Sequence, residues 1–199
     1  MTAKILDGAS VAQAIKDEVA SEVAEYSRRG VRPGLAAVLV GSDPASQIYV
    51  SGKVRTCGQL GLYSEKIDLP ETATTEELLA LVRDLNSRDE IDGVLIQLPL
   101  PKQVDAALVL NSVDPAKDVD GFHQVNVGKL TLNEPGLRPC TPAGIIELLE
   151  RHEIDKGCPS RCYGPEPDSG FTHRVVAFAS ARNGDDKSLA NQRLAGGCA

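Results

Sequence analysis

The sequence lacks the features that would place the protein in or across a membrane. No apolar run approaches the ~20 residues of a membrane-spanning helix. Residues 1–8 contain no apolar core of the kind that a secretion signal requires. We therefore expect no membrane partner and a cytoplasmic location.

An excess of basic residues is also missing. The chain has 21 Lys and Arg against 28 Asp and Glu, which gives a formal net charge of −7. A nucleic-acid-binding surface needs clustered Lys and Arg to neutralise phosphates. We expect no nucleic-acid partner.

The cysteines do not form a regular framework. There are five, an odd number, and their spacing is irregular. A zinc site at Cys158 and Cys162 would need two more ligands, and His152 and His173 are poor candidates at their spacing. The sequence therefore predicts reduced thiols and no metal site.

The sequence does have the composition of a soluble globular protein. Of its 199 residues, 42% are hydrophobic and 25% are charged. This length allows one domain of ordinary size, or one domain and a small part of another.

Apolar patterns typical of strands and helices alternate along the chain. Residues 34–41 form a continuous apolar run between glycines, the pattern of a strand buried on both faces. Strands are also predicted over 63–69 and 93–98. A first helix is predicted over 11–28, with Ser10 as its N-cap and Gly30 at its end. Further helices are predicted over 44–60, directly after a capping box formed by Thr74 and Glu77, over 103–111, and from Pro142 onward. Strands that alternate with helices predict βαβ units, so the expected fold class is α/β, with a mainly parallel sheet flanked by helices.

Four short polar signatures lie at the ends of these runs, where α/β folds usually place ligand-binding groups. They are Tyr-Val-Ser-Gly-Lys at 49–53, Ile-Gln-Leu-Pro-Leu-Pro at 96–101, Asp-Val-Asp-Gly-Phe-His at 118–123 and Pro-Cys-Thr-Pro-Ala-Gly-Ile at 139–145. In this order, they resemble the folate-binding half of bifunctional methylenetetrahydrofolate dehydrogenase/methenyltetrahydrofolate cyclohydrolase. The resemblance extends from about residue 3 to residue 157.

The resemblance implies a function in one-carbon metabolism. Enzymes of that family oxidise 5,10-methylenetetrahydrofolate with NADP and hydrolyse the methenyl product to 10-formyltetrahydrofolate. By resemblance, Lys53 assists proton transfer, Tyr49 and Gln97 orient it, and Asp120 holds the pterin. The resemblance adds Ile96, Leu98 and Pro99 as substrate contacts. The family is homodimeric, chiefly through its second domain.

Taken alone, the residues leave alternatives open. Tyr49 and Lys53 are four apart and so share one face of a helix. They form either an ordinary exposed face or a pair in which the ring partly desolvates the ammonium, which suits acid/base chemistry. Short-chain dehydrogenases use the same spacing, but they open with a strand and a glycine-rich turn and carry the Tyr much later. Ser46 either contacts substrate or, as we favour, caps the helix.

The other candidates allow two interpretations as well. Gln97 either satisfies backbone groups at a strand end or contacts a ligand. Asp118 and Asp120 stand in a turn closed by Gly121, which is either an Asx-type loop or a pterin anchor. His123 lacks a partner that would make it a general base.

The pattern changes after residue 157. In residues 158–199, Leu, Ile, Val and Phe total six of 42 residues, below the roughly one-fifth expected of a chain that can build a core. The resembled family continues here with a strand and a glycine-rich turn that opens its NADP-binding domain, and no such turn stands in frame. We therefore expect a folate-binding domain at 1–157 and a non-homologous, poorly packed or disordered tail at 158–199.

The genetic code suggests how this tail arose. Back-translated and read one nucleotide later, residues 160–173 permit a glycine-rich peptide of the family's type, and residues 182–191 permit a later family segment. We hypothesise that a one-base shift near Gly157 replaced the cofactor domain. Dehydrogenase activity would then be lost, and the chain would be a weak cyclohydrolase, a folate-binding module without turnover or an inactive fragment.

Overall fold

The computed structural model describes residues 5–154. The predictions for the tail, including Cys158, Cys162, His173 and Cys198, lie outside these residues. The helices are α1 (Gly8–Arg28), α2 (Pro44–Gln59), α3 (Thr75–Ser87), α4 (Ala106–Leu110), α5 (Gln124–Leu132) and α6 (Cys140–Arg151). The strands are β1 (Gly34–Val40), β2 (Tyr63–Leu69) and β3 (Gly93–Ile96).

The strands form a parallel sheet in the order β2-β1-β3. Gly34 pairs with Tyr63 on one side of β1, and Leu35 pairs with Gly93 on the other. An isolated parallel bridge joins Val94 to Asp118. This arrangement confirms the predicted α/β fold class with a parallel sheet.

Strand β1 is buried at every position because helices cover both faces of the sheet. Ala36 and Val38 pack in a core with residues of α3 and α4. Leu35 and Ala37 pack in a second core with residues of α1 and α2. A strand enclosed in this way needs apolar side chains on both sides, which explains the continuous apolar run.

The ends of α1 differ in part from the prediction. The N-cap is Asp7 rather than Ser10, because the Asp7 carboxylate accepts from the backbone N–H groups of Ala9 and Ser10. At the other end, Gly30 has φ of +78° and donates to Ser27, as the prediction that Gly30 ends the helix requires.

Other boundaries need correction. The Asp43 carboxylate, not Ser46, caps α2, and Ser46 donates its N–H to it. Helix α6 begins at Cys140 rather than Pro142, β3 ends at Ile96 rather than residue 98, and α4 is shorter than predicted. Helix α5 was not predicted. The capping box of Thr74 and Glu77 is confirmed in both directions.

None of the helices within residues 5–154 is both long and apolar enough to cross a membrane.

Candidate active site

The carboxyl ends of β1 and β3 meet at one edge of the sheet. The two strands are neighbours, but the chain leaves them toward opposite faces. Helix α2, after β1, packs in the core with α1, whereas α4, after β3, packs with α3. Ligands of α/β proteins bind at such points of divergence.

All four predicted catalytic residues lie on segments that leave this edge. Tyr49 and Lys53 are on α2, Gln97 directly follows β3, and Asp120 follows the Asp118 bridge to β3.

Lys53 lies on the buried stripe of α2. Helical periodicity turns positions 46, 50, 53 and 57 toward the sheet. Val50 and Cys57 are fully buried there, and Ser46 and Lys53 are 7% and 8% exposed. A lysine therefore occupies a position that a core helix normally fills with an apolar residue, which is costly unless the charge is compensated.

The compensation comes first from Tyr49. The Lys53 ammonium lies 4.5 Å from the centroid of the Tyr49 ring, a geometry for which a cation–π attraction of about 0.5–2 kcal/mol is typical. Tyr49 itself is 48% exposed, so the ring shields the ammonium on one side and remains partly open to solvent. Of the two interpretations of the Tyr–Lys spacing, the geometry favours the desolvated pair.

Asp120 lies within the electrostatic reach of Lys53. Burial raises the pKa of Asp120 to about 6, the Lys53 ammonium acts to lower it, and the Asp118 carboxylate acts to raise it. Tyr49 and Lys53 are thus in contact, and Asp120 is near enough for the Lys53 ammonium to act on its pKa.

Gln97 is positioned by the sheet but turns its amide inward. Its backbone N–H continues the ladder to Val38 at 2.9 Å. Its side-chain Nε2 donates to the Leu98 carbonyl at 2.7 Å. The amide nitrogen therefore satisfies a backbone group.

The three further predicted substrate contacts differ in exposure. Ile96 is buried in the core with α3. Leu98 is half-buried and Pro99 is exposed. The peptide bond between them is cis.

Asp118 does more than the turn interpretation implied. It is 5% exposed, and its Oδ2 accepts from the His123 backbone N–H at 2.8 Å and from Asn126 Nδ2 at 2.9 Å. Asn126 is 2% exposed and also donates to the Pro115 carbonyl at 2.8 Å. From the sequence we expect Asn126 to shape this loop, but its pairing with Asp118 was not predicted.

His123 has a structural role. Its Nδ1 accepts from the Val125 backbone N–H as the N-cap of α5, which makes Nε2 the donor to the Asn111 carbonyl at 3.0 Å. Both ring nitrogens are thus engaged, in agreement with the view that His123 is a weak general base.

The described residues do not fit a nicotinamide dinucleotide. A pyrophosphate binds where the N–H groups of a helix N-terminus are open after a strand. Here α2 is capped by the Asp43 carboxylate, and α3 by Thr74 with Glu77. Both positions carry negative charge where a phosphate would sit.

In the part of the chain that the structure describes, no three His, Cys, Asp or Glu side chains are grouped to hold a metal ion. Cys57 and Cys140 are not disulfide-bonded.

A family model decides the relationship. Residues 6–120 match the tetrahydrofolate dehydrogenase/cyclohydrolase catalytic domain. This chain belongs to that family. The matched segment contains Tyr49, Lys53 and Gln97 and ends at Asp120, so all four candidate residues lie within it.

Two curated relatives of this family are closely similar. The bifunctional protein FolD of Koribacter versatilis is 56% identical over 154 residues, which are 77% of this chain and 50% of that protein. The FolD protein of Solibacter usitatus is 58% identical over 151 residues, or 76% of this chain and 49% of that protein. The chain thus spans about half the length of the curated relatives it matches.

Solved structures of the family share the fold. The bifunctional FolD enzyme of Campylobacter jejuni superimposes with a TM-score of 0.75 at 43% identity, covering 76% of this chain and 54% of its own. The FolD of Trypanosoma brucei, solved with NADP cofactor and an inhibitor, gives a TM-score of 0.78 at 32% identity, with 90% and 63% covered.

Proposed function

We propose that residues 1–157 are the folate-binding domain of a methylenetetrahydrofolate dehydrogenase/methenyltetrahydrofolate cyclohydrolase, and that this chain retains its folate-binding wall. The observation that carries the proposal is the buried Lys53, whose ammonium lies over the Tyr49 ring and acts on the pKa of the Asp120 carboxyl. The match to the Koribacter protein extends over 154 residues, about the length of this proposed domain.

The three groups suit a reduced pterin. Asp120 would accept hydrogen bonds in parallel from the amino group and the ring N–H of the pterin, which fixes orientation as well as affinity. Tyr49 offers a half-exposed aromatic face for stacking. The loop of Leu98 and Pro99 lies at the same edge and would border the substrate.

The cyclohydrolase step needs proton transfers at one carbon atom. Water adds to the methenyl carbon and loses a proton, which gives a tetrahedral intermediate. The hydroxyl of this intermediate then loses its proton and becomes the carbonyl, while the bond from that carbon to N5 breaks and a proton reaches N5, leaving the formyl group on N10. Lys53 would relay these protons, with Tyr49 and Gln97 orienting its amine.

The dehydrogenase step has a weaker basis in this chain. We propose that the chain as written binds no NADP, because residues 158–199 contain no in-frame glycine-rich turn and the helices after β1 and β2 are capped by acidic side chains. The family dimerises chiefly through its cofactor domain, so we also propose that dimerisation is weak here. The proposed location is the cytoplasm.

A second candidate function is a folate-binding module without turnover. It is favoured by the Gln97 amide, whose Nε2 donates to the Leu98 carbonyl and so satisfies a backbone group. Binding of tetrahydrofolate without hydrolysis of methenyltetrahydrofolate would identify this function. An inactive fragment would show neither binding nor a cooperative unfolding transition.

The deciding experiment follows the absorbance of 5,10-methenyltetrahydrofolate with the full chain. Lys53→Met removes the relay but keeps an unbranched apolar stem, and we expect it to lower the rate by about 10²–10⁴-fold. Lys102→Met, at an exposed lysine, is the control and should leave the rate unchanged. Enzyme-dependent hydrolysis that survives Lys53→Met would remove the role proposed for Lys53.

A further inference from the structure

The segment that carries Asp120 is held at both ends. At its start, Asp118 bridges to Val94, and the Val94 N–H donates to the Lys117 carbonyl at 2.7 Å. At its end, His123 begins α5 as the N-cap. Residues 118–123 therefore form a short arc between the sheet and a helix, with Asp120 near the middle.

One side chain closes this arc. Oδ2 of Asp118 accepts from the N–H of His123 across the arc at 2.8 Å. The same oxygen accepts from Nδ2 of Asn126 on α5 at 2.9 Å. Inside the arc, the Gly121 N–H donates to the Asp118 carbonyl at 3.1 Å. Because Asp118 and Asn126 are both buried, water competes poorly for these bonds.

We propose that Asp118, held by Asn126, is a positioning residue that fixes the arc and so sets where Asp120 meets the pterin. The inference rests on the proposed function only for the identity of the ligand. Asp118 touches no ligand in this scheme. It acts through the backbone geometry of Asp120, because its two hydrogen bonds leave the arc little freedom.

Asp118 also contributes charge. The charged groups that face Asp120 are the Lys53 ammonium from α2 and the Asp118 carboxylate from its own loop, and they act on its pKa in opposite directions. Geometry and charge can be separated by substitution, because both hydrogen bonds use the same oxygen. An Asn at position 118 can keep that oxygen as an acceptor while it removes the charge.

The test compares Asp118→Ala with Asp118→Asn in the full chain. Calorimetric titration with tetrahydrofolate, kept reduced, measures Kd at a temperature where circular dichroism shows each variant folded. We expect Asp118→Ala to raise Kd by about 10–100-fold, since misplacement by about 1 Å has effects of this size. Asp118→Asn should stay within about threefold of the wild type, and its pH midpoint for binding should move down.

Asp114→Ala is the matched control. Asp114 accepts a backbone N–H within the preceding loop, from Ala116 at 2.8 Å, but its carboxylate lies outside the arc. Its loss can lower stability and should leave the Kd unchanged. Equal Kd values for wild type and folded Asp118→Ala, or equal loss in Asp114→Ala and Asp118→Ala, would overturn the inference.

A ligand-free measurement separates this inference from the proposed function. In ¹⁵N and ¹³C NMR, Asp118→Ala should lower the order parameter of the Asp120 amide, and Asp118→Asn should move the titration midpoint of the Asp120 carboxyl downward from about 6. If the wild type fails to bind tetrahydrofolate, the proposed function fails. The order parameter and the titration midpoint still decide whether Asp118 positions Asp120. An unchanged order parameter in Asp118→Ala contradicts the positioning role whether or not folate binds.

Discussion

Ionisation of Asp120 is unfavourable in the folded chain, first because the carboxyl is buried and also because Asp118 is close. Its pKa rises from 3.8 to about 6 on folding. Between these values the folded state binds more protons than the unfolded state, so the free energy of unfolding falls as the pH rises through this window. Above pH 6 the carboxyl is ionised in both states, so the free energy of unfolding stays lowered by the full cost of the buried charge.

Asp120→Asn should therefore stabilise the chain at neutral pH. We expect a gain of about 1–2 kcal/mol at pH 7.5, allowing for the partial exposure of the group. The gain should shrink as the pH falls below 6, because the wild-type carboxyl then becomes protonated as well. Urea denaturation between pH 4.5 and 8 measures it, with the exposed Asp89 changed to Asn as a control. A gain that does not vary with pH would contradict the assignment.

Gly121 provides a second residue-scale prediction. It has φ of +66°, and an added Cβ would meet the Arg138 carbonyl carbon at 2.7 Å and the Pro139 nitrogen at 2.9 Å. Gly121→Ala should cost about 1–3 kcal/mol and should weaken tetrahydrofolate binding, because the arc of Asp120 must move away from the start of α6.

Gly128→Ala is the matched control for this substitution. An added Cβ at Gly128, inside α5, meets nothing within 4 Å, so this change should stabilise the chain by about 0.5–1 kcal/mol through helix propensity. Urea denaturation compares the two. If Gly121→Ala leaves the free energy of unfolding unchanged, the arc can move to accommodate the added Cβ without cost.

The candidate site could be predicted at this scale only in part. The spacing of Tyr49 and Lys53 correctly placed them on one helical face. It could not show that the lysine would be the buried member and the tyrosine the half-exposed one, since that depends on which face of α2 meets the sheet. The partner of Asn126 could not be predicted for a similar reason, because Asp118 lies on a separate segment of the chain.

At the scale of elements, Lys117 joins α3 to the sheet edge. Its ammonium donates to the carbonyls of Leu85, Asn86 and Arg88 at 3.3, 2.9 and 2.8 Å, respectively. These carbonyls belong to the C-terminal end of α3, where groups without helical partners accumulate and where a cation also complements the helix dipole.

Lys117→Met should therefore be destabilising. We expect a loss of about 1.5–3 kcal/mol in the free energy of unfolding, because charged hydrogen bonds to partly buried carbonyls are lost. Thermal and urea denaturation measure the change, with Lys102→Met as the exposed control. Equal stability of the two variants would mean that water replaces the ammonium without cost.

Elements with strong local signals were predicted, and those that depend on distant partners were not. The apolar run of β1 and the capping box of α3 are local and unambiguous, and both are confirmed. Helix α5 is short, contains Gly128 and begins at a histidine cap, so its sequence has little helical preference. Its stability comes from contacts that anchor it to the loop, such as the one between Asn126 and Pro115.

At the scale of the molecule, the described residues form a complete α/β layer with a core on each face of the sheet. We expect such a unit to unfold cooperatively by itself, whereas an inactive, unfolded fragment would not. Its candidate site lies at one edge of the sheet. The chain covers about half of its curated relatives.

The frameshift hypothesis leads to a prediction for the whole chain. If the coding DNA past codon 157 encodes the glycine-rich peptide in its +1 frame, restoring that frame by one base should create dehydrogenase activity. The chain as written should form no NADPH from NADP and 5,10-methylenetetrahydrofolate, because a pyrophosphate has no uncapped helix N-terminus after β1 or β2 to bind. Near-ultraviolet absorbance of NADPH measures both proteins side by side. Formation of NADPH by the unrestored chain would show that residues 158–199 build a cofactor site of another kind, and a +1 frame without the peptide would remove the frameshift altogether.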